Sequence, residues 1–287
     1  MPIMGSAATK SWNIRSDKEA AMSFVTHEQQ NLVYLTSPLL EGVRHGFSTR
    51  RGGVSPAPWD TLNLGPGRGD APENVRENYR RFCGCVGMAP ERTVLSLQVH
   101  RDDVRLCTAA DAGKGLIRER DYEADALITA ERDLPLVVFS ADCGILLLHG
   151  PEAGCVGAVH AGWRGCAAGI VEKAVREMVR LLGARPERIL AAVGPCIGQC
   201  CFETDSDVPE AMAASALGTE AEAYWERRGA KYHVDLAGLN RRWLLHAGVL
   251  PEHIDVCGLC TACRPDLFWS HRKMGNARGA QVAMICL

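Results

Sequence analysis

The hydrophobic positions of this chain fall mostly in short unbroken runs bounded by Gly and Pro, the pattern of buried strands. The densest such stretch is Leu136–Gly165, LVVFSADCGILLLHGPEAGCVGAVHAGWRG. One run ends on Ser140-Ala141-Asp142-Cys143, a second covers Ile145 to Leu148, and a third, Cys155 to Val159, delivers His160 and a tight Ala161-Gly162-Trp163-Arg164-Gly165 turn. Further strands are predicted over Leu32–Thr36, Val43–Thr49, Val94–Leu97, Val104–Cys107, Ala124–Ala130, Ile189–Val193, Ile254–Val256, Leu267–Ser270 and Val282–Ile285.

Helical spacing occurs in three places. Glu73–Val86 has Pro72 near its first turn and Val75, Tyr79, Phe82 and Val86 along one face. Ile170–Leu182 carries a stripe of Ile170, Val171, Ala174, Val175, Met178, Val179 and Leu182, with Gly183 suited to its end. Asp235–Gly248 begins on a natural N-cap. Residues 1–30 lack a period and are expected to form a flexible tail before one domain over 31–287. Strands outnumber helices, so the fold class expected is α/β (α+β), and no repeat or dinucleotide fingerprint interrupts it.

Composition narrows the function. The chain has 287 residues, 47% of them hydrophobic and 23% charged, enough for a sizeable core. A formal net charge of -2 leaves no basic footprint for nucleic acid. Thirteen cysteines without an apolar leader favour free thiols in a reducing compartment, so a cytoplasmic protein is expected. Asp142 interrupts the longest apolar stretch, which excludes a membrane span there. No coiled-coil or repeat surface is visible, and a monomer is expected.

The polar residues at strand ends carry the candidate chemistry. His100, Cys143 and His160 each follow or close an apolar run. Two imidazoles and a thiolate with a fourth position open are the pattern of a catalytic zinc site, in which zinc would hold the Cys143 thiolate and activate a water. The competing reading is a small buried cysteine with two ordinary loop histidines. Asp142 is a candidate orienting partner or proton acceptor, or a turn former. The glycine-rich turn before a helix suits an anion, with Arg164 as a fork for phosphate, or else Arg164 is solvated. Ser48-Thr49-Arg50 before Gly52-Gly53 is a weaker site of the same kind. Cys257-x-x-Cys260-x-x-Cys263 lacks the fourth cysteine a ferredoxin-like run would need, since Leu267 stands there, and Cys200-Cys201 has no partnering spacing. These cysteines read as buried free thiols, one of which could lie near the active site.

Several strings together resemble the YfiH-type, laccase-domain or polyphenol oxidase-like family of purine nucleoside phosphorylases. They run from His45-Gly46-Phe47-Ser48-Thr49-Arg50 and Leu62-Asn63-Leu64-Gly65 through Gln98-Val99-His100, Asp125-Ala126-Leu127-Ile128-Thr129 and Ala141-Asp142-Cys143. The most specific is His160-Ala161-Gly162-Trp163-Arg164-Gly165, and Gly194-Pro195-x-Ile197, Cys260-Thr261 and Phe268-x-Ser270-x-Arg272 follow. The resemblance implies a layered α/β/β/α sandwich with mixed sheets and a zinc site on His100, Cys143 and His160. It implies phosphorolysis of adenosine, inosine, guanosine and methylthioadenosine by inorganic phosphate, and deamination of adenosine. Arg50, Arg164 and Arg272 are the phosphate candidates, with Ser48 beside them. Departures are Gly144-Ile145 in place of a proline after the ADC cysteine, His271 at a usually aromatic position, and an Ala277-Arg278-Gly279 string out of register, which puts a role for Arg278 in doubt.

Three other functions compete. A copper-dependent polyphenol oxidase would use the same His2Cys set, but nine histidines with no His-x-His pair do not supply several copper centres. A metal-free hydrolase would use Cys143 and His160 as nucleophile and base. A non-catalytic metal-binding protein would keep only the fold.

Overall fold

Two-residue alternation along the strands decides how this protein is layered. The computed structural model describes residues 24–287. In chain order its strands are β1 (Val25–Gln29), β2 (Leu32–Thr36), β3 (Arg44–Ser48), β4 (Val94–Leu95), β5 (Val104–Leu106), β6 (Ala126–Thr129), β7 (Leu136–Ser140), β8 (Gly144–Gly150), β9 (Cys155–Ala161), β10 (Leu190–Val193), β11 (Glu203–Thr204), β12 (Trp225–Arg228), β13 (Lys231–Val234), β14 (Ile254–Val256) and β15 (Gln281–Cys286). The helices are α1 (Pro72–Val86), α2 (Trp163–Ala167), α3 (Ile170–Leu182), α4 (Asp207–Ala213), α5 (Leu236–His246) and α6 (His271–Met274).

Two six-stranded sheets form, in the orders β1-β2-β3-β15-β7-β4 and β14-β10-β8-β9-β6-β5, with β11-β13-β12 as a small third sheet. Both large sheets are mixed: β4 joins β7, β5 joins β6 and β10 joins β14 in parallel, and the remaining pairs are antiparallel. Successive strand side chains point to opposite faces. On β15, Ala283 and Ile285 enter the core between the sheets, while Val282 and Met284 face α1 with Val75, Tyr79 and Phe82. On β8, Ile145 and Leu147 enter that same inner core, while Leu146 and Leu148 pack under α3 and α5. The layers are therefore α/β/β/α, as the resemblance implies. With hydrophobic side chains on both faces, a one-residue slip would exchange the two cores, so β8 packs in one register.

The helices begin and end for local reasons. Pro72 occupies the first turn of α1, and Gly87 closes it at φ 69, donating its N–H to the Cys83 carbonyl. The Asp235 carboxylate accepts from the Gly238 N–H and caps α5. On α3, Val179 departs from the expected stripe and is 37% exposed. Glu172 is buried there instead, held by Arg176 and His246. No described helix is long and apolar enough to cross a membrane.

Two expectations are corrected. The expected tail over 1–30 includes a strand, because Val25–Gln29 pairs with Leu32–Thr36 through a turn at Gln30 and Asn31, both at positive φ; the rest of that expectation, residues 1–23, lies outside the described residues. Leu267–Ser270 is not a strand. Its backbone bonds go elsewhere: the Leu267 carbonyl accepts from the Arg50 N–H, and the Gln281 side chain pairs with both the N–H and the carbonyl of Trp269. A side-chain amide there does the work of a neighbouring strand. Strands β11 to β13 and helices α2, α4 and α6 are too short to have left a periodic signal.

The irregular segment between β3 and α1 is held by a buried polar network. Asn78 donates to Ser55 Oγ and the Asn63 carbonyl, and accepts from the Val54 N–H. Asp70 accepts from Ser55, Asn63 and Asn74. Asn78 has no exposed surface. Removing its amide leaves several buried groups unpaired, at about 1–3 kcal/mol for each strongly desolvated one. Asn78→Ala is expected to lower the unfolding free energy by about 2–4 kcal/mol in urea denaturation. A loss within about 0.5 kcal/mol would show that the network holds nothing.

Candidate metal centre and active site

The centre is built on the antiparallel ladder between β6 and β9. One step beyond the Ala126–Val159 pair, Asp125 stands opposite His160, and the His160 N–H donates to the Asp125 carbonyl. Both side chains lie on the inner face of their sheet and are almost completely buried. His160 Nδ1 is 2.8 Å from Asp125 Oδ1. The same carboxylate accepts the backbone N–H groups of Val99, His100 and Arg101, each at 3.0 Å. A single buried acid therefore orients the His160 ring and folds the loop that presents His100, which adopts a left-handed φ of 61. With Nδ1 engaged, Nε2 is the His160 nitrogen left for a ligand bond.

Cys143 comes from the connection between β7 and β8, where the chain passes from one sheet to the other. Ser140 Oγ donates to the Cys143 carbonyl at 2.7 Å and tightens the turn. Asp142, at φ 88, precedes it. The ligand atoms of His100, Cys143 and His160 all lie within 4.8 Å of one another, and the two rings meet edge to face at 4.9 Å. Gly162 explains part of the glycine-rich string: a Cβ there would come within 2.8 Å of Cys143 Sγ and 3.3 Å of the His100 ring. Burial alone would push the Cys143 thiol up, but the His160 and His100 imidazoles outweigh it and hold the thiol well below its ordinary range. Burial would likewise lower His160, yet the Cys143 thiolate and the Asp125 carboxylate raise it. Asp125 stays below the usual carboxylate range despite burial, because His160 and the loop N–H groups favour its charge. A preformed thiolate beside two oriented imidazoles is a suitable donor set for a borderline-soft metal ion.

His100 and Cys143 line a cavity of about 350 Å³, with His160 buried behind them. Its apolar wall is Trp163, Phe202, Ile197 and Leu236, and its polar edge is Asp142, His271, Arg272 and Arg278. The Asp142 carboxylate is fully engaged, accepting from Thr261 Oγ1 at 2.6 Å, Ser270 Oγ at 3.1 Å and the Arg272 N–H at 2.7 Å. It thereby ties the Cys143 turn to the loops after β14.

The arginines divide sharply. Arg278 is buried at the cavity, its Nη1 bonded to the Gly279 carbonyl and its Nε without a partner. Burial and the nearby Arg68 pull its pKa down to about 10. Burial also lowers Arg68, while the Cys143 thiolate favours its charge. Arg272 lines the cavity but spends Nη1 on the Cys201 carbonyl and Nη2 on the Glu203 carbonyl. Arg164 is exposed, with its guanidinium 4.2 Å over the Trp163 ring at the cavity rim. Arg50 is not brought to the cavity: it bonds the Asp60 and Pro265 carbonyls, pairs with Asp60 and stacks on Trp269. Ser48 is buried, accepting from the Val282 N–H. Sequence reasoning left Asp125 and Arg68 out of the site. Asp125 stood in a recognised string, but nothing in the sequence marked Arg68.

If Asp125 fixes the His160 ring, Asp125→Ala should weaken binding of a divalent transition metal by about 10–100-fold in chelator competition. An unchanged affinity would mean that the imidazole is held by packing alone.

The chain's similarities are found over this same region. The profile of the family described as "Multi-copper polyphenol oxidoreductase laccase" matches residues 44–287. "Purine nucleoside phosphorylase YlmD" of Geobacillus stearothermophilus is 36% identical over 255 residues, covering 87% of this chain and 92% of that protein. A "Purine nucleoside phosphorylase" of Deinococcus radiodurans is 41% identical over 256 residues, covering 89% and 93%. The crystal structure of YlmD from Geobacillus stearothermophilus superposes with a TM-score of 0.85 at 33% identity, covering 93% of this chain and 99% of that one. Sequence and fold agree over nearly the whole domain: the chain belongs to the laccase-like YfiH/YlmD family.

Proposed function

We propose that this protein is a zinc-dependent purine nucleoside phosphorylase acting on adenosine, inosine, guanosine and methylthioadenosine, and that it also deaminates adenosine. The observation that carries the reading is a gathered His100–Cys143–His160 set, two members of which line a cavity that has both an aromatic wall and a buried arginine with a free donor. The relatives' names give the substrate class. Thiolate and imidazole donors suit zinc, which when bound would supply Lewis acidity to the reacting site.

The chain's own residues do the rest. Trp163 and Phe202 offer faces for a flat purine. Arg278 and Arg68 draw inorganic phosphate to the polar side, and Arg278 can turn its unpartnered Nε to an oxygen. A phosphate oxygen then attacks C1′ as the C–N bond breaks, and the bonding pair leaves on the purine. Fixed cationic groups beside a low-dielectric wall stabilise that charge movement without reorganising. Deamination needs water in place of phosphate and does not call on the arginines. Arg164, exposed and stacked on the wall residue Trp163, contributes long-range attraction rather than a seat.

The Cys143–His160–Asp125 line favours one second reading, a metal-free cysteine hydrolase, because it follows the order nucleophile, base and orienting acid. His100 has no part in such a triad. The copper oxidase reading is weaker: among the described residues only one other group of metal-type ligands gathers, and it contains no histidine.

Turnover of adenosine with and without phosphate separates these readings. Chelation or Cys143→Ser should abolish phosphorolysis and deamination together. Activity in metal-free protein, with a substrate adduct trapped on Cys143, would establish the hydrolase instead. Arg278→Met should raise the KM for phosphate by about 10–100-fold while phosphate-free deamination changes by less than about threefold. Arg164→Ala should raise that KM only a few-fold. An equal loss in both activities for Arg278→Met would remove it from phosphate binding.

A further inference from the structure

Four cysteines that look unrelated in sequence meet on the opposite side of the cavity wall. Cys200 and Cys201 lie on the turn that leads from β10 into β11, and Cys260 and Cys263 lie on the loop after β14. Their four sulfurs all fall within 4.8 Å of one another. Cys263 Sγ is 3.5 Å from Cys200 Sγ and 3.4 Å from Cys201 Sγ. The Gly198 N–H points at Cys260 Sγ at 3.2 Å. We propose that Cys200, Cys201, Cys260 and Cys263 bind a second metal ion, zinc, in a closed four-thiolate structural site.

The geometry favours an ion over the alternatives. Sulfurs about 2.3 Å from a tetrahedral zinc stand about 3.8 Å apart, within the observed spread. A disulfide needs a bond of about 2.05 Å and pairs sulfurs exclusively, whereas here Cys200 and Cys201 both approach Cys263. Core packing accounts for only half of the cluster, since Cys201 and Cys260 pack against the core while the other two do not. Six of the other cysteines, Cys83, Cys107, Cys155, Cys166, Cys196 and Cys286, are buried, but Cys200 and Cys263 are exposed. Exposed free thiols gathered at one point are a reactive liability unless something caps them. Cys260-x-x-Cys263 has the short spacing of a metal knuckle, and an N–H directed at sulfur steadies a thiolate. The cluster borders an open cavity of about 640 Å³ that includes Cys200, Cys260 and Arg241, so an ion can reach it. Binding forms four zinc–sulfur bonds, and any thiol protons pass to solvent; nothing is oxidised or reduced.

The two loops that carry these thiols also shape the first site. They meet at a backbone bridge between Cys196 and Cys260, and the Thr261 N–H donates to the Cys196 carbonyl. Ile197 and Phe202, on either side of the first turn, line the substrate cavity, and Thr261 holds Asp142. An ion here would staple the cavity wall without touching substrate.

The test counts metal in the full chain with the other site disabled, so it stands apart from the nucleoside reading. His100→Ala/Cys143→Ala protein, made under reductant in zinc-supplemented medium, should retain about one zinc per chain by elemental analysis. Cobalt exchanged into it should give thiolate-to-cobalt charge transfer and tetrahedral visible bands, both lost on adding Cys263→Ala. In the otherwise native chain, Cys263→Ala should remove one zinc while leaving the second bound, which keeps the test decisive should the double variant not fold. Absence of metal from the double variant in folded form would overturn the proposal. So would native zinc content unchanged by Cys263→Ala, or a disulfide among these four cysteines mapped by alkylation of protein kept under reductant.

Discussion

The buried Asp125 carboxylate is the constraint on which the rest of the centre depends. It has no exposed surface, yet it stays charged because four donors converge on it: three consecutive backbone N–H groups and His160 Nδ1. An isolated buried carboxylate would be strongly unfavourable, whereas charge-assisted hydrogen bonds contribute about 1.5–3 kcal/mol each. Four such donors on one carboxylate favour its charged form despite burial. The charge then favours a protonated or metal-bound His160, which in turn favours the Cys143 thiolate. A chain of neighbouring charges runs from the interior of the sandwich to the floor of the cavity.

That chain is possible because β6 and β9, neighbours in one sheet, place Asp125 and His160 at the same end of their ladder. The middle of the inner faces of β6, β8 and β9 is apolar through Leu127, Ile145, Leu147, Val156 and Ala158; Asp125 and His160 stand together at one end, and Thr129 and His149 at the other. Strand alternation therefore fixes where the chemistry lies. Moving either residue by one position would turn it into the helix-facing core, where no donor set awaits it.

Much of this was legible from residue pattern. The long apolar runs gave β7 to β10 and β15 to within a residue or two, and the full period of Ile170–Leu182 gave α3. The three candidate ligands were legible because a thiol and two imidazoles each stand at the end of an apolar run, although a buried cysteine with ordinary histidines would read the same way. The arginines were not. Whether a guanidinium seats an anion or braces a loop depends on which carbonyls lie within reach, and those come from distant segments: Pro265 for Arg50, Glu203 for Arg272. Arg278 stands in a string whose register argued against it, yet the fold buries it at the cavity with a donor to spare. The four-cysteine cluster was hidden for the same reason, because about sixty residues separate its halves and neither half has a complete spacing of its own.

Backbone strain at the site completes the physical picture. His100 and Asp142 both adopt left-handed backbone conformations, at φ 61 and 88, that side chains other than glycine disfavour. Such conformations cost about 1–3 kcal/mol each and persist only where the surroundings over-determine them. For His100 the surroundings are the N–H groups on Asp125, including its own. For Asp142 they are Thr261, Ser270 and the Arg272 N–H. Both residues are anchored through carboxylates that draw backbone donors from loops. The ladder places the His160 backbone and Asp125 its ring; His100 and Cys143 owe their positions to hydrogen bonds that hold irregular backbone against its own preference. A site assembled this way is rigid at the ligand atoms while remaining sensitive to the loops behind it, so side chains that never touch a substrate, Thr261 and Ser270 among them, help set the distance between the thiolate and the imidazoles.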